Sequence, residues 1–238
     1  MKKLAAIFMA LAVAISCASF ACVSAEEATE AAPQEEITLG GWTAPESPEI
    51  TQEIQALCDK AFEGLLGVNY VPAVLLGTQI VSGTNYRILF LATPVSPEAK
   101  ETYAIGTIYE DLEGNVELTE LLGTDVETNF NGSLGGWTQS ESPAMTEEAQ
   151  QAFEQAMEGL VGVDYKPVAL LGSQVTNGAN YAILCEATVV YPDAEPYYAI
   201  VYVYKAPDED AELSDIVSLE AEEASAEESE EAAVQAEG

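Results

Sequence analysis

The sequence predicts an α+β fold written twice: two tandem domains, each with one helix packed on an antiparallel sheet of four or five strands. Three observations predict it. The chain repeats itself at a fixed offset, each copy opens with apolar residues at helical spacing, and β-branched, tyrosine-rich runs separated by tight turns follow.

The offset is 95 positions: residues 40–122 align with 135–217 without a gap, with 38 identities among 83 positions. Two copies this similar fold alike. Matched pairs include Trp42 with Trp137, Pro48 with Pro143, Tyr70 with Tyr165, Gln79 with Gln174, Gly83 with Gly178 and Tyr86 with Tyr181. In the first copy Ile50, Ile54, Leu57, Cys58, Ala61, Phe62, Leu65 and Leu66 mark one helical face. Ser47 suits the cap, Pro48 the first turn and Gly67 the end. The second copy repeats the stripe with Met145, Ala149, Ala152, Phe153, Ala156, Met157, Leu160 and Val161. Strands are expected over 70–80, 84–94, 102–110 and 115–122, with a short one near 39–43. The connection at 81–83 is tight, and Asp111-Leu112-Glu113-Gly114 reads as a second hairpin turn.

Outside the copies the chain changes character. Lys2 and Lys3, an apolar run from Leu4 to Ile15 and the small residues Val23-Ser24-Ala25 form a secretory signal over 1–25. Residues 26–39 read as an acidic linker, 123–134 as the linker between domains and 218–238 as an acidic tail of Glu, Ala and Ser. The expectation is a secreted protein. The alternative is a lipid-anchored one, since Ala14-Ile15-Ser16-Cys17 loosely resembles a bacterial lipoprotein cleavage box, although it lacks the usual Leu three residues before the cysteine. No segment approaches the roughly 20 uninterrupted apolar residues of a membrane span.

Composition narrows the function. Seven basic against 41 acidic residues give a formal charge of -34, which argues against nucleic acid as a partner. The chain has no histidine, which removes the commonest general base, metal ligand and nucleophile partner, so no enzyme, cofactor or metal is expected. Asp208, Asp210 and Glu212 lack EF-hand spacing. Beyond the signal only Cys58 and Cys185 occur, too few for a zinc site or a disulfide framework. Cys58 aligns with Phe153 and Cys185 with Phe90, so each copy holds one Cys and one Phe at these positions. Two readings stay open: buried thiols packed against rings, or an interdomain disulfide if both are exposed and adjacent.

Gln79-Ile80-Val81-Ser82-Gly83-Thr84-Asn85-Tyr86 resembles the QxVxG hairpin of cystatins and stefins, continued as Thr-Asn-Tyr. Gly40-Gly41 stands upstream of the helix, where that family has its binding glycine. The resemblance covers both copies and implies two cystatin-like domains that reversibly block papain-like cysteine proteases. It further implies a wedge of three backbone elements: the glycine segment, with Gly41 or Gly40 as its trunk, the hairpin of Gln79, Ile80, Val81, Ser82 and Gly83, and a second hairpin led by Leu112. Many secreted cystatins have Pro-Trp at that last place, and stefins Leu-Pro. The second copy offers Gly136, Gln174, Val175, Thr176, Asn177, Gly178 and Pro207, where Thr176 replaces the hairpin valine and weaker or altered inhibition is expected.

Each of these residues also has a plainer reading. The glycines satisfy turn geometry, Gln79 ends a solvated strand, Val81 favours strand, and Trp42 and Trp137 pack over the sheet. The rival to inhibition is a noninhibitory binding or adhesion module on the same scaffold at the cell surface, because fold does not fix function.

Overall fold

A ten-residue helix is all that the first apolar stripe yields. The computed structural model describes residues 40–96, 98–130 and 136–219, and in it α1 spans Gln52–Ala61. Thr51 caps it, its hydroxyl accepting from the Ile54 amide at 3.3 Å. Ser47, the expected cap, accepts instead from the Glu49 amide. Past the helix Gly64 turns the chain at a φ of +84°, and Leu66, read as part of the stripe, is exposed. The second helix, α2 at Glu147–Met157, has the same Thr cap at Thr146 and leaves Val161 exposed in the same way.

Strands make up the rest. β1 (Trp42–Thr43), β2 (Val68–Ile80), β3 (Gly83–Pro94), β4 (Thr102–Asp111) and β5 (Val116–Glu127) pair in sequence order as one antiparallel sheet. The second copy repeats the order with β6 (Thr138–Gln139), β7 (Val163–Thr176), β8 (Gly178–Val189), β9 (Tyr197–Lys205) and β10 (Ala211–Ser218). β5 runs on through residues 123–127, expected to be linker. There Thr124 donates its hydroxyl to the Tyr103 carbonyl and Val126 packs on the core.

The α+β, two-domain expectation is overturned. The described residues are mostly β, with 53% strand against 12% helix, and their two short helices accompany two five-stranded antiparallel sheets. The physical reason lies in the strand period. Successive side chains point to opposite faces, and both faces of these sheets are apolar. Leu75, Ile88 and Phe90 meet Leu57 and Cys58 of α1, while the alternate residues Val74, Leu76, Leu89 and Leu91 point the other way. In the second copy Leu170, Ile183 and Cys185 meet Ala149, Ala152 and Phe153 of α2, and Ala169, Leu171, Ala182 and Leu184 point away from it. These two outward sets form one shared core with Tyr103 and Ile200, so the copies are halves of a single body.

The contacts across this core come in related pairs. Ala44 and Leu76 line a cleft with Glu186 and Tyr198; Gln139 and Leu171, 95 positions on, line one with Leu91 and Tyr103, 95 positions back. Such reciprocity is the mark of a twofold relation. Arg87 seals one boundary, its guanidinium 4.0 Å from the centre of the Trp42 ring in the cleft that Tyr198 also lines. Phe130 covers Gly172 at the other, where a β-carbon would collide with its ring.

The two cysteines are free and buried. Cys58 shares the α1 core with Phe90, and Cys185 shares the α2 core with Phe153. Burial pushes both thiols up to about 12. A third position completes the exchange: Gly106 makes room for the Phe90 ring, since a β-carbon there would stand 2.9 Å from it, whereas the equivalent Val201 packs with the smaller Cys185.

The expected signal, Cys17, the linker over 26–39 and the tail from 220 onward lie outside the described residues, as do residues 131–135 of the linker between the copies. Among the described residues no helix is long and apolar enough to cross a membrane.

Candidate functional site

β2 and β3 turn at Val81 and Ser82, and strand register decides what stands beside that turn. Gly83 pairs with Asp111, so the β4–β5 turn containing Leu112 is its neighbour on one side. Trp42 pairs with Gln79, and the Gly40 amide donates to the Ile80 carbonyl at 3.2 Å, so the glycine segment is its neighbour on the other. The structure thus brings Gly40, Gly41, Val81, Ser82 and Leu112 to one end of the first sheet. Leu112 is 87% exposed, and Ile80 and Val81 are 45% exposed each. Neither α1 nor the second copy covers them.

Gln79 plays a part other than contact. Its amide nitrogen donates to the Gly40 carbonyl at 2.9 Å, and its amide oxygen accepts from the Asn85 side chain at 2.7 Å. The side chain therefore stitches the glycine segment to the hairpin. Gly83 is needed for space, because a β-carbon would run into the Glu110 carbonyl and stand 2.8 Å from the Tyr109 ring. Tyr109 braces the turn from the next strand, its hydroxyl donating to the Ser82 carbonyl at 3.0 Å.

The neighbouring turn is held by one carboxylate. Asp111 accepts from the Glu113 amide at 2.8 Å, the Asn115 amide at 2.9 Å and the Asn115 side chain at 2.7 Å. Donation from Asn115, by side chain and backbone, holds the carboxyl below its ordinary range. Tyr86, farther down β3, is pushed upward first by burial and then by Glu110, to which its hydroxyl donates at 3.4 Å.

The second sheet has a corresponding end. Val175, Thr176 and Asn177 form its exposed hairpin, and the Tyr204 hydroxyl donates to the Asn177 carbonyl at 2.6 Å as Tyr109 does to Ser82. Asn180 donates to Gln174 at 2.8 Å, repeating the Asn85–Gln79 bond. A β-carbon at Gly178 would collide with the Lys205 carbonyl. Pro207 sits exposed in the adjoining β9–β10 turn, and Gly136 lies two residues before Thr138, which pairs with Ser173. The difference lies in that adjoining turn. Ala206 stands where the first copy has Asp111, and Lys205 donates to the Glu209 carbonyl instead.

The sequence reading placed Asn85 only within the hairpin motif and Asp111 only within the second turn, without a bracing part for either, and it passed over Tyr109. The signal for Asn85 and Tyr109 was present, since Asn180 and Tyr204 keep both residue types in the second copy. Asp111 is replaced by Ala206 in the second copy, and its only signal was its place in an Asp-and-Gly turn. Among the described residues no group of three or more His, Cys, Asp or Glu is arranged to hold a metal. The exposed backbone and small apolar groups of this end can enter a groove and occupy it without chemistry.

Comparison with protein-family models finds no match for the chain, and comparison with curated proteins finds none either.

Proposed function

We propose that this protein is a secreted, reversible inhibitor of papain-like cysteine proteases that occludes the active-site cleft with the end formed by Gly40–Gly41, Val81–Ser82 and Leu112. The observation that carries the reading is the adjacency of these three segments at one exposed end, fixed by the Gly83–Asp111 and Trp42–Gln79 pairings. The likeness of residues 79–86 to the cystatin hairpin supports it independently.

The mechanism is steric. The turns are pre-shaped by Gln79, Asn85, Tyr109 and Asp111, so binding costs little conformational entropy. Val81 and Leu112 bury apolar surface in the cleft, each contributing up to about 1.5–3 kcal/mol. No scissile bond is offered to the nucleophile, so the complex dissociates intact. The reading depends on this end alone and not on the copies being separate domains.

The test is titration of papain, hydrolysing a fluorogenic peptide, with the full chain and with Val81→Glu, a change confined to the exposed tip. Inhibition by the parent and its loss in the variant are expected. Unaltered hydrolysis at micromolar parent protein would reject the reading in favour of a noninhibitory binding module, which the polar tip at Thr176 and Asn177 favours for the second end.

A further inference from the structure

We propose that the cleft between the two copies at Glu49 and Ser142 binds a small organic cation: a primary ammonium group carrying an apolar body about the size of one aromatic ring. None of the residues lining this cleft belongs to either hairpin turn, so the site is independent of the function proposed for them.

The cleft encloses about 280 Å³. A dry cavity of about 150 Å³ holds benzene, so a ring with a short chain is the size that fits. The floor is apolar and fixed: Val74, Leu91 and Leu171 belong to the shared core, and Tyr103 is only 1% exposed. Phe130 stands at right angles to Tyr103, with ring centres 6.5 Å apart. Apolar walls drawn from two structural halves, with a few polar groups among them, are the usual form of a small-molecule site.

Those polar groups decide the sign of the ligand. Glu49 and Glu141 both line the cleft and both are exposed, whereas no lysine or arginine lines it. Ser142 donates its hydroxyl to Glu49 Oε1 at 2.8 Å, which joins the two copies across 93 positions and fixes that carboxylate at the cleft. A carboxylate has acceptor sites beyond the one used, so Glu49 can take an ammonium donor as well. The rings of the same cleft favour a cation too.

The related cleft at the other boundary shows what such a place holds. There the chain supplies its own cation, because Arg87 lies over Trp42 in the cleft that Glu186 and Tyr198 also line. Ala182 stands 95 positions on from Arg87, so the cleft at Glu49 receives no such side chain. It is also the larger, about 280 Å³ against about 120 Å³, even with Phe130 set against Gly172 beside it. The acid has changed place as well: Leu91 stands for Glu186, while Glu49 has the uncharged Ala144 as its counterpart. One boundary is closed by a built-in guanidinium, and the other keeps aromatic and acidic groups without one.

Phenethylamine, cationic at neutral pH, and phenethyl alcohol, its uncharged analogue of similar shape, are the probes. Calorimetric titration of the full chain should show one saturable site for the amine, about tenfold tighter than for the alcohol. The methyl resonances of Val74, Leu91 and Leu171 should shift along the same isotherm. Glu49→Gln together with Glu141→Gln, both at exposed positions, keeps an acceptor for Ser142 and should abolish the preference for the amine at an unchanged melting temperature. Absence of amine binding at millimolar concentration, equal binding of amine and alcohol, or a preference that survives the double substitution overturns the site. So does non-saturating binding that leaves those methyls unmoved, the mark of loose counter-ion attraction to an acidic chain. None of these results bears on papain inhibition, which stands or falls by its own titration.

Discussion

The Gln79 side-chain amide bonds the Gly40 carbonyl at 2.9 Å, across 39 positions of sequence, while the same amide's oxygen is held by Asn85. One side chain thus sets the spacing between two of the three segments that meet at the exposed end. Gln79→Ala frees both partners at the margin of the sheet. At about 1 kcal/mol for each of the two lost bonds, inhibition of papain should weaken by up to roughly thirtyfold with the thermal midpoint almost unmoved. Inhibition constants and melts of the same samples check this. An equal loss of stability would make Gln79 a structural residue only.

Tyr109→Phe removes the hydroxyl that holds the Ser82 carbonyl and leaves the ring. A several-fold faster dissociation of papain is expected, about 0.5–1.5 kcal/mol. Tyr204→Phe, the equivalent change at the other end, should leave the first end's dissociation rate alone. Stopped-flow displacement measures both.

The shared core predicts one unfolding event. Leu89 and Leu184 are wholly buried between the sheets, and either one changed to Ala should cost about 2–5 kcal/mol. Urea titrations followed by tryptophan fluorescence and by circular dichroism should coincide in a single transition shifted by either change. Two separate transitions, each responding to only one substitution, would show independent domains.

Much of the local architecture was legible, because hairpin turns and strand runs announce themselves through glycine, asparagine and β-branched residues, and the repeat doubled every signal. The union of the copies was misread. Ile88-Leu89-Phe90-Leu91 and Ile183-Leu184-Cys185 are unbroken apolar runs, and such runs mean a sheet covered on both faces. A lone helix on a sheet covers only one. The apolar stripe also overstated the helix, since Leu65 and Leu66 continue its period after Gly64 has turned the chain. At the site, backbone pairing determined which turns are neighbours. The Asp111 brace and the Gln79–Gly40 bond depend on side-chain geometry that spacing does not show.

The Cys and Phe exchange between copies predicts coupling. Phe90→Cys alone leaves a cavity, and Cys58→Phe alone overfills the space beneath α1. Combined with Gly106→Val they reproduce the arrangement of Phe153, Cys185 and Val201. The triple variant should recover stability beyond the sum of its parts by about 0.5–3 kcal/mol. Additive losses in chemical denaturation would mean that the two cores are not interchangeable.

Acid should loosen the second turn. Asp111 has its carboxyl lowered in the folded chain by Asn115. Its contribution is therefore present above the unfolded carboxyl value of about 3.9 and is lost as pH falls through the lower folded value. Amide exchange at Gly114 and Asn115 should accelerate in that acid range relative to the intrinsic rate. Asp111→Ala should show the accelerated behaviour at neutral pH.

Hydrogen exchange of the full chain with and without saturating papain tests the central claim most directly. Slowed exchange confined to residues 40–41, 80–83 and 112–115, with the outer face of α1 unchanged, is the predicted footprint. Protection on α1 with those three segments exchanging freely would contradict it.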